Sequence, residues 1–115
     1  MHCVSSYPLN EENVNFPKLL KIKKAHNHIG YSGHLKVTED AIAAISFGAM
    51  IVEKHFTIDN DLPGRDNKFA LLPNEMKTIS NYRDIFSKMN IDKGLNVQEC
   101  EMDIYKNYRG RWSKN

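Results

Sequence analysis

The residue types that could do chemistry in this chain lie in three short stretches. The first is His2-Cys3-Val4-Ser5-Ser6-Tyr7-Pro8 and the second Ile29-Gly30-Tyr31-Ser32-Gly33-His34. The third is Ala49-Met50-Ile51-Val52-Glu53-Lys54-His55-Phe56-Thr57. Their polar ends supply Ser5, Tyr7, Ser32, His34, Glu53 and His55, and the loop after the third adds Asp66. Two imidazoles on adjacent strand ends can converge on one ion. With oxygen ligands or water they suit a divalent metal such as Mn2+ or Zn2+, and such a metal can polarise a carbonyl as a Lewis acid. Each residue also has a plainer reading. A histidine at a strand end is commonly a hydrogen-bonded structural residue, and Ser32 can simply satisfy backbone. Tyr7 can be a core ring with a wet hydroxyl, and Asp66 can stabilise the Pro63-Gly64 turn. Glu53 is either a paired rim carboxylate or part of a site. His2, His26 and His28 read as structural or solvated. Spacing leaves these alternatives open.

Bringing the polar ends together is the work of the elements around them. The third stretch starts as an apolar run too short for a typical helix and ends abruptly in Glu-Lys-His, which reads as a buried parallel strand with chemistry at its C-terminal end. Residues 2–7 read as a short strand closed by Tyr7-Pro8, and a second strand begins near His28-Ile29. From Val14 to Ala25 the apolar positions Val14, Leu19, Leu20, Ile22 and Ala25 predict a helix with one buried stripe, with Pro17 in its first turn. Thr38-Glu39-Asp40 reads as a helix start: a hydroxyl that can cap, then acids that suit the positive end of the dipole. That helix is Ala-rich and ends at Gly48. Pro73-Asn74-Glu75 opens another, with Pro at N1, Glu at N3, and an apolar face of Met76, Ile79, Tyr82, Ile85, Phe86 and Met89. The order is β-α-β-α-β-loop-α. His34 and His55 are 21 residues apart (55 − 34), about one βα unit. Alternation at this period predicts a parallel sheet, as an open doubly wound sheet or an arc of a barrel. In both, functional residues gather at the C-terminal ends of strands. Asp92-Lys93-Gly94 reads as a turn, and Tyr105 to Trp112 as a tail or short helix.

Composition narrows the function. At 115 residues, with a formal net charge of +2, the chain is one ordinary globular domain at most. Its one basic cluster, Lys18, Lys21, Lys23 and Lys24, has no interleaved aromatics for base stacking and reads as a solvated helix face, so nucleic acid is not an expected partner. Cys3 and Cys100 form neither a CxxC pair nor a ligand cluster. The start is not a signal peptide and no run approaches membrane-spanning length, so a cytoplasmic protein without a membrane partner is expected. No GxGxxG or GxxxxGK[ST] fingerprint supports a nucleotide site.

Taken together, several motifs resemble the sialic acid synthase (N-acetylneuraminate synthase) family. They are His2-Cys3-Val4-Ser5-Ser6-Tyr7-Pro8, Gly30-Tyr31-Ser32-Gly33-His34, Gly48-Ala49 running into Glu53-Lys54-His55-Phe56-Thr57, Pro63-Gly64-Arg65-Asp66 and Leu72-Pro73-Asn74-Glu75. The resemblance covers about residues 2–90 in order. It implies a TIM (β/α)8 barrel, of which this chain matches about the last three βα units, with residues 91–115 as a C-terminal tail or short helix. It further implies condensation of phosphoenolpyruvate with N-acetylmannosamine or a related N-acetylated sugar to a nonulosonic acid and phosphate. In that family the positions of His34 and His55 hold the metal, with Mn2+ first and Mg2+, Co2+ or Zn2+ as alternatives. Ser5 and Ser32 match phosphoenolpyruvate contacts; Tyr7 and Asp66 match residues that hold the sugar. The chain departs from the pattern at Ser5 (Asn in some members), Gly33 (Asp in many) and Arg65 (Pro in many). It also lacks counterparts of the earlier strands, which supply lysines and a general acid/base carboxylate, and of the C-terminal antifreeze-like domain. Such an arc is expected to be completed by the missing strands or by self-association through its raw edges. The alternative is a non-catalytic assembly module derived from the same barrel.

Overall fold

The three apolar-to-polar stretches form one parallel sheet in a computed structural model that describes residues 1–108 and 110. Its strands are β1 (His2–Cys3), β2 (Gly30–Gly33) and β3 (Ile51–Lys54), ordered β1-β2-β3. The register pairs Cys3 with Ser32 and Ser32 with Glu53 in one row, and His2, Tyr31 and Val52 in the next. Successive side chains of a strand point to opposite faces, so these rows belong to opposite sides of the sheet. The face of Tyr31 and Val52 is packed by helices α1 (Phe16–Ala25), α2 (Glu39–Ser46) and α3 (Pro73–Met89). Leu19, Ile29, Tyr31 and Ala44 form the main core; Ala41, Leu71 and Ile79 form a second cluster under α3. Among the described residues no helix packs on the opposite face. Ile51 there is 62% exposed, so β3 is buried on one side only, not on both as its apolar run suggests.

The boundaries differ from expectation for identifiable reasons. β1 stops at Cys3 because the Val4 carbonyl, which would carry the ladder on, accepts a hydrogen bond from the His34 ring instead. A cis Tyr7-Pro8 bond then turns the chain away. α1 starts at Phe16, with Asn15 in the left-handed region (φ 56°) ahead of it and Pro17 in the first turn, as predicted. Thr38 does not cap α2: its hydroxyl reaches the Glu39 carboxylate, while Asp40 accepts the Ala41 backbone N–H. α3 spans the predicted residues, and Glu75 accepts the Leu72 N–H at 2.7 Å. Its apolar face is packed only in part. Ile79 is buried, whereas Ile85 and Met89 are exposed.

Beyond β3 the sheet has a fourth position that sequence periodicity did not reveal. Phe56 and Leu71 form an isolated parallel bridge, with the Leu71 N–H on the His55 carbonyl (2.8 Å) and the Thr57 N–H on the Leu71 carbonyl (3.0 Å). The intervening loop is pinned by amides. Asn60 donates to the Asn67 and Ala70 carbonyls, and Asn67 donates to those of Leu62 and Pro63. Asn67, not Asp66, therefore stabilises the Pro63-Gly64 turn. Near the C-terminus Asp92 accepts the Gly94 N–H in the predicted turn. α4 (Met102–Tyr108) then continues directly from a short 3-10 turn at Glu99–Glu101. The expectation for Arg109, Arg111 and Trp112 lies outside the described residues. No described helix is long and apolar enough to cross a membrane.

Candidate active site

Parallel register places the residues after β2 and β3 side by side at the C-terminal rim, and the chain after β1 folds over them. His34 and His55 thus come from adjacent strand ends, with ring centroids 5.3 Å apart. Tyr7 lies across both. Its hydroxyl is 2.8 Å from His34 Nε2 and 3.3 Å from His55 Nε2. The donor inventory fixes who gives what. The Val4 carbonyl can only accept, so His34 donates from Nδ1–H at 2.7 Å and the neutral ring keeps a bare lone pair at Nε2. The Tyr7 O–H donates to that lone pair. Having one proton, the phenol then accepts from His55 Nε2–H. The Tyr7 pKa is held above its ordinary value, first by lost hydration and then by the charges of Asp66, Cys3 and Glu53, with Arg65 opposing. The phenol is therefore a donor at neutral pH.

Each residue singled out from the sequence has a definite place. His34 is buried, His55 half-buried, and Tyr7 and Asp66 are exposed. The Asp66 carboxylate is 3.9 Å from His55 Nδ1, so it faces the side of that ring turned away from Tyr7. Ser32, one row below the imidazoles, donates to Glu53 at 2.9 Å, which makes Glu53 a paired carboxylate within the sheet's open face. Ser5 lies 3.5 Å from Cys3 Sγ and makes no hydrogen bond to the imidazole pair. His2 is structural. Its Nε2–H donates to the Val14 carbonyl at 2.7 Å, and its buried Nδ1 has no partner.

The donors fit a divalent cation as part of a coordination sphere. Two Nε2 atoms face one point, and His34 carries a backbone carbonyl on its other nitrogen, the arrangement that orients metal-bound imidazoles. Among the described residues no group of three His, Cys, Asp or Glu side chains is arranged to hold a metal ion. Further ligands would be oxygens from a substrate or solvent.

Behind the rim lies a buried polar cluster that the sequence analysis missed. Lys54 and Asp40 are each 1% exposed at the side chain. Lys54 Nζ donates to both Asp40 oxygens (2.9 Å each) and to the Leu35 carbonyl (2.6 Å). The Tyr31 O–H donates to Asp40 at 2.9 Å. Gly33 is packed flat on this cluster: a Cβ there would collide with the Asp40 carboxylate and come within 2.7 Å of the Tyr31 ring and 3.0 Å of Lys54 Cδ. Alternation carried the missed signal. Lys54 sits between two open-face residues, Glu53 and His55, so it must enter the helix-covered side, where a charge needs a partner.

Comparison with known proteins gives this geometry a setting. A model of the NeuB family matches residues 1–93. The spore coat polysaccharide biosynthesis protein SpsE of Bacillus subtilis is 45% identical over 80 residues, covering 67% of this chain and 21% of that protein. The N-acetylneuraminate-9-phosphate synthase of Drosophila melanogaster is 36% identical over 110 residues, covering 83% of this chain and 30% of the synthase. Among solved structures, a sialic acid synthetase from Leptospira borgpetersenii superposes with a TM-score of 0.78 at 33% identity, covering 94% of this chain and 39% of that one. The three-stranded parallel sheet and its helices are thus an arc of the synthase barrel. The chain spans well under half the length of each of these relatives.

Proposed function

The chain belongs to the NeuB family, and from that premise we propose that its Tyr7–His34–His55 rim is the metal-holding part of a nonulosonic acid synthase site. The observation that carries the reading is the convergence of both Nε2 atoms on the Tyr7 hydroxyl, with the His34 tautomer fixed by the Val4 carbonyl. His34 and His55 would hold a divalent cation, Mn2+ foremost. When bound, that cation supplies Lewis acidity toward the aldehyde oxygen of an N-acetylated sugar such as N-acetylmannosamine. To offer its own lone pair at Nε2, His55 moves its proton to Nδ1, the side that Asp66 faces. Tyr7, protonated at neutral pH, then has its O–H free to donate to the sugar, and Asp66 accepts from a sugar hydroxyl or orients His55. Ser32 and Ser5 lie on the open face of the sheet, where phosphoenolpyruvate would enter.

The reaction proposed is C–C bond formation between C3 of phosphoenolpyruvate and the aldehyde carbon, whose oxygen takes up a proton. Water adds at C2, and C2–O cleavage releases phosphate. Cationic groups for the phosphate and the acid/base carboxylate would come from strands beyond this arc, in the same or another chain.

Calorimetric titration of the 115-residue chain with Mn2+ tests the reading. One saturable site is expected, lost in His55→Ala. Equal binding by His55→Ala would refute the ligand assignment. No binding by a chain that unfolds cooperatively would favour the non-catalytic assembly module instead.

A further inference from the structure

We infer that Lys54 is a positioning residue for the two imidazoles: its buried ammonium clasps the end of β2 to the end of β3 and so sets the His34–His55 separation. The sequence neighbours make the geometry plain. Lys54 immediately precedes His55, and the carbonyl it binds belongs to Leu35, which immediately follows His34. One nitrogen thus bridges the backbone flanking one imidazole to the strand residue flanking the other. Asp40 anchors that nitrogen from the first turn of α2 through both carboxylate oxygens. The carboxylate is held in turn by the Tyr31 hydroxyl and the Ala41 N–H. The lysine has three acceptors for its three protons, and the carboxylate accepts four hydrogen bonds.

The burial argues for a task beyond stability. A buried ion pair gains little over apolar residues of similar volume, and the helix-covered face elsewhere uses Tyr31, Val52, Ala41 and Ala44. What an apolar pair would not provide is a bond to the Leu35 carbonyl. Gly33 closes the cluster from the β2 side, since any side chain there would displace Asp40. Lys54 touches neither imidazole by any hydrogen bond. It acts on them through the backbone alone.

The inference rests on reading His34 and His55 as a metal-holding pair, so its test needs one readout with metal and one without. The double variant Lys54→Met/Asp40→Leu removes both charges together, which protects folding, and also removes the Leu35 tie. Three measurements are made on it beside wild type: urea unfolding, Mn2+ affinity by calorimetry, and long-range 1H–15N spectra of the histidine rings without metal. The expected result is a chain that still unfolds cooperatively, Mn2+ affinity weaker by at least about tenfold, the size typical of lost outer-shell support, and averaging of the single His34 tautomer. Unchanged Mn2+ affinity together with an unchanged His34 tautomer would overturn the role. If wild type itself binds no Mn2+, the metal reading fails, and the ring spectra alone decide for or against the clasp. Should the double variant not fold, Tyr31→Phe, which keeps ring volume and removes one donor to Asp40, is judged on the same spectra. It is expected to shift the His34 and His55 ring signals, and identical signals would count against the clasp.

Discussion

A phenol has one proton to give, and Tyr7 meets two imidazole nitrogens with it. The asymmetry of its contacts, 2.8 Å to His34 and 3.3 Å to His55, follows from which ring has already committed its other nitrogen. His34 has; His55, with Asp66 at 3.9 Å, has not. The second tyrosine in this region yields a prediction about pH. Burial, and then the charge and hydrogen bond of Asp40, raise the Tyr31 pKa above the ordinary phenol value of 10.0. A phenol with a higher pKa in the folded than the unfolded state adds stability at pH below its ordinary value. That increment is lost as the pH climbs past it. Urea midpoints measured from pH 8 to about 11 should therefore fall steeply in the alkaline limb. Tyr31→Phe should flatten the fall while costing about 2 kcal/mol at neutral pH for the lost bond to a carboxylate. An equally steep limb in the variant would assign the alkaline loss elsewhere. Residue types and alternation were enough to select His34, His55, Tyr7 and Asp66 as candidates, because strand ends collect polar groups. They did not reveal the Asp40–Lys54 pair, because its meaning depends on a helix turn and a strand end meeting in three dimensions.

At the scale of elements, α3 separates what a helical pattern predicts from what the tertiary structure uses. Its apolar positions recur at spacings of three and four as read from the sequence, and the helix spans the predicted residues. Only the N-terminal half meets the second cluster of Ala41, Leu71 and Val52. Ile79→Ala should cost about 2–4 kcal/mol through the cavity it leaves. Ile85→Ala, at a position 55% exposed, should stay within about 0.5 kcal/mol. Chemical denaturation of the two variants checks this, and comparable losses would mean the exposed half is packed in solution. The strands were placed correctly but drawn too long at β1 and one or two residues early at β2 and β3. Apolar runs mark where a strand lies, whereas its ends depend on which backbone groups find partners. Leu71 was invisible as a strand position because a single bridge has no periodicity.

At the scale of the molecule, an arc of a barrel has two lateral edges and an inner face that no described helix covers. Met50, Ile51, Phe56 and Ile58 stand exposed at and after β3, and β1 and the Leu71 bridge end the sheet on either side. Apolar surface of this kind drives association. Sedimentation velocity at rising concentration should therefore show species heavier than the monomer, reduced by Ile51→Lys. A monomer at every concentration would show that the face tolerates water. The order of elements made the parallel architecture readable from the sequence, but periodicity could not tell an open sheet from a barrel arc. The superposition on the Leptospira borgpetersenii synthetase did so. The acceptor that orients His34 is the main-chain oxygen of Val4, an atom every amino acid possesses. Point substitution at position 4 leaves it in place. A slip of β1 against β2 removes it at once, because a single step in register turns every residue to the other face. The imidazole's aim is thus insured against misspelling and exposed to miscounting.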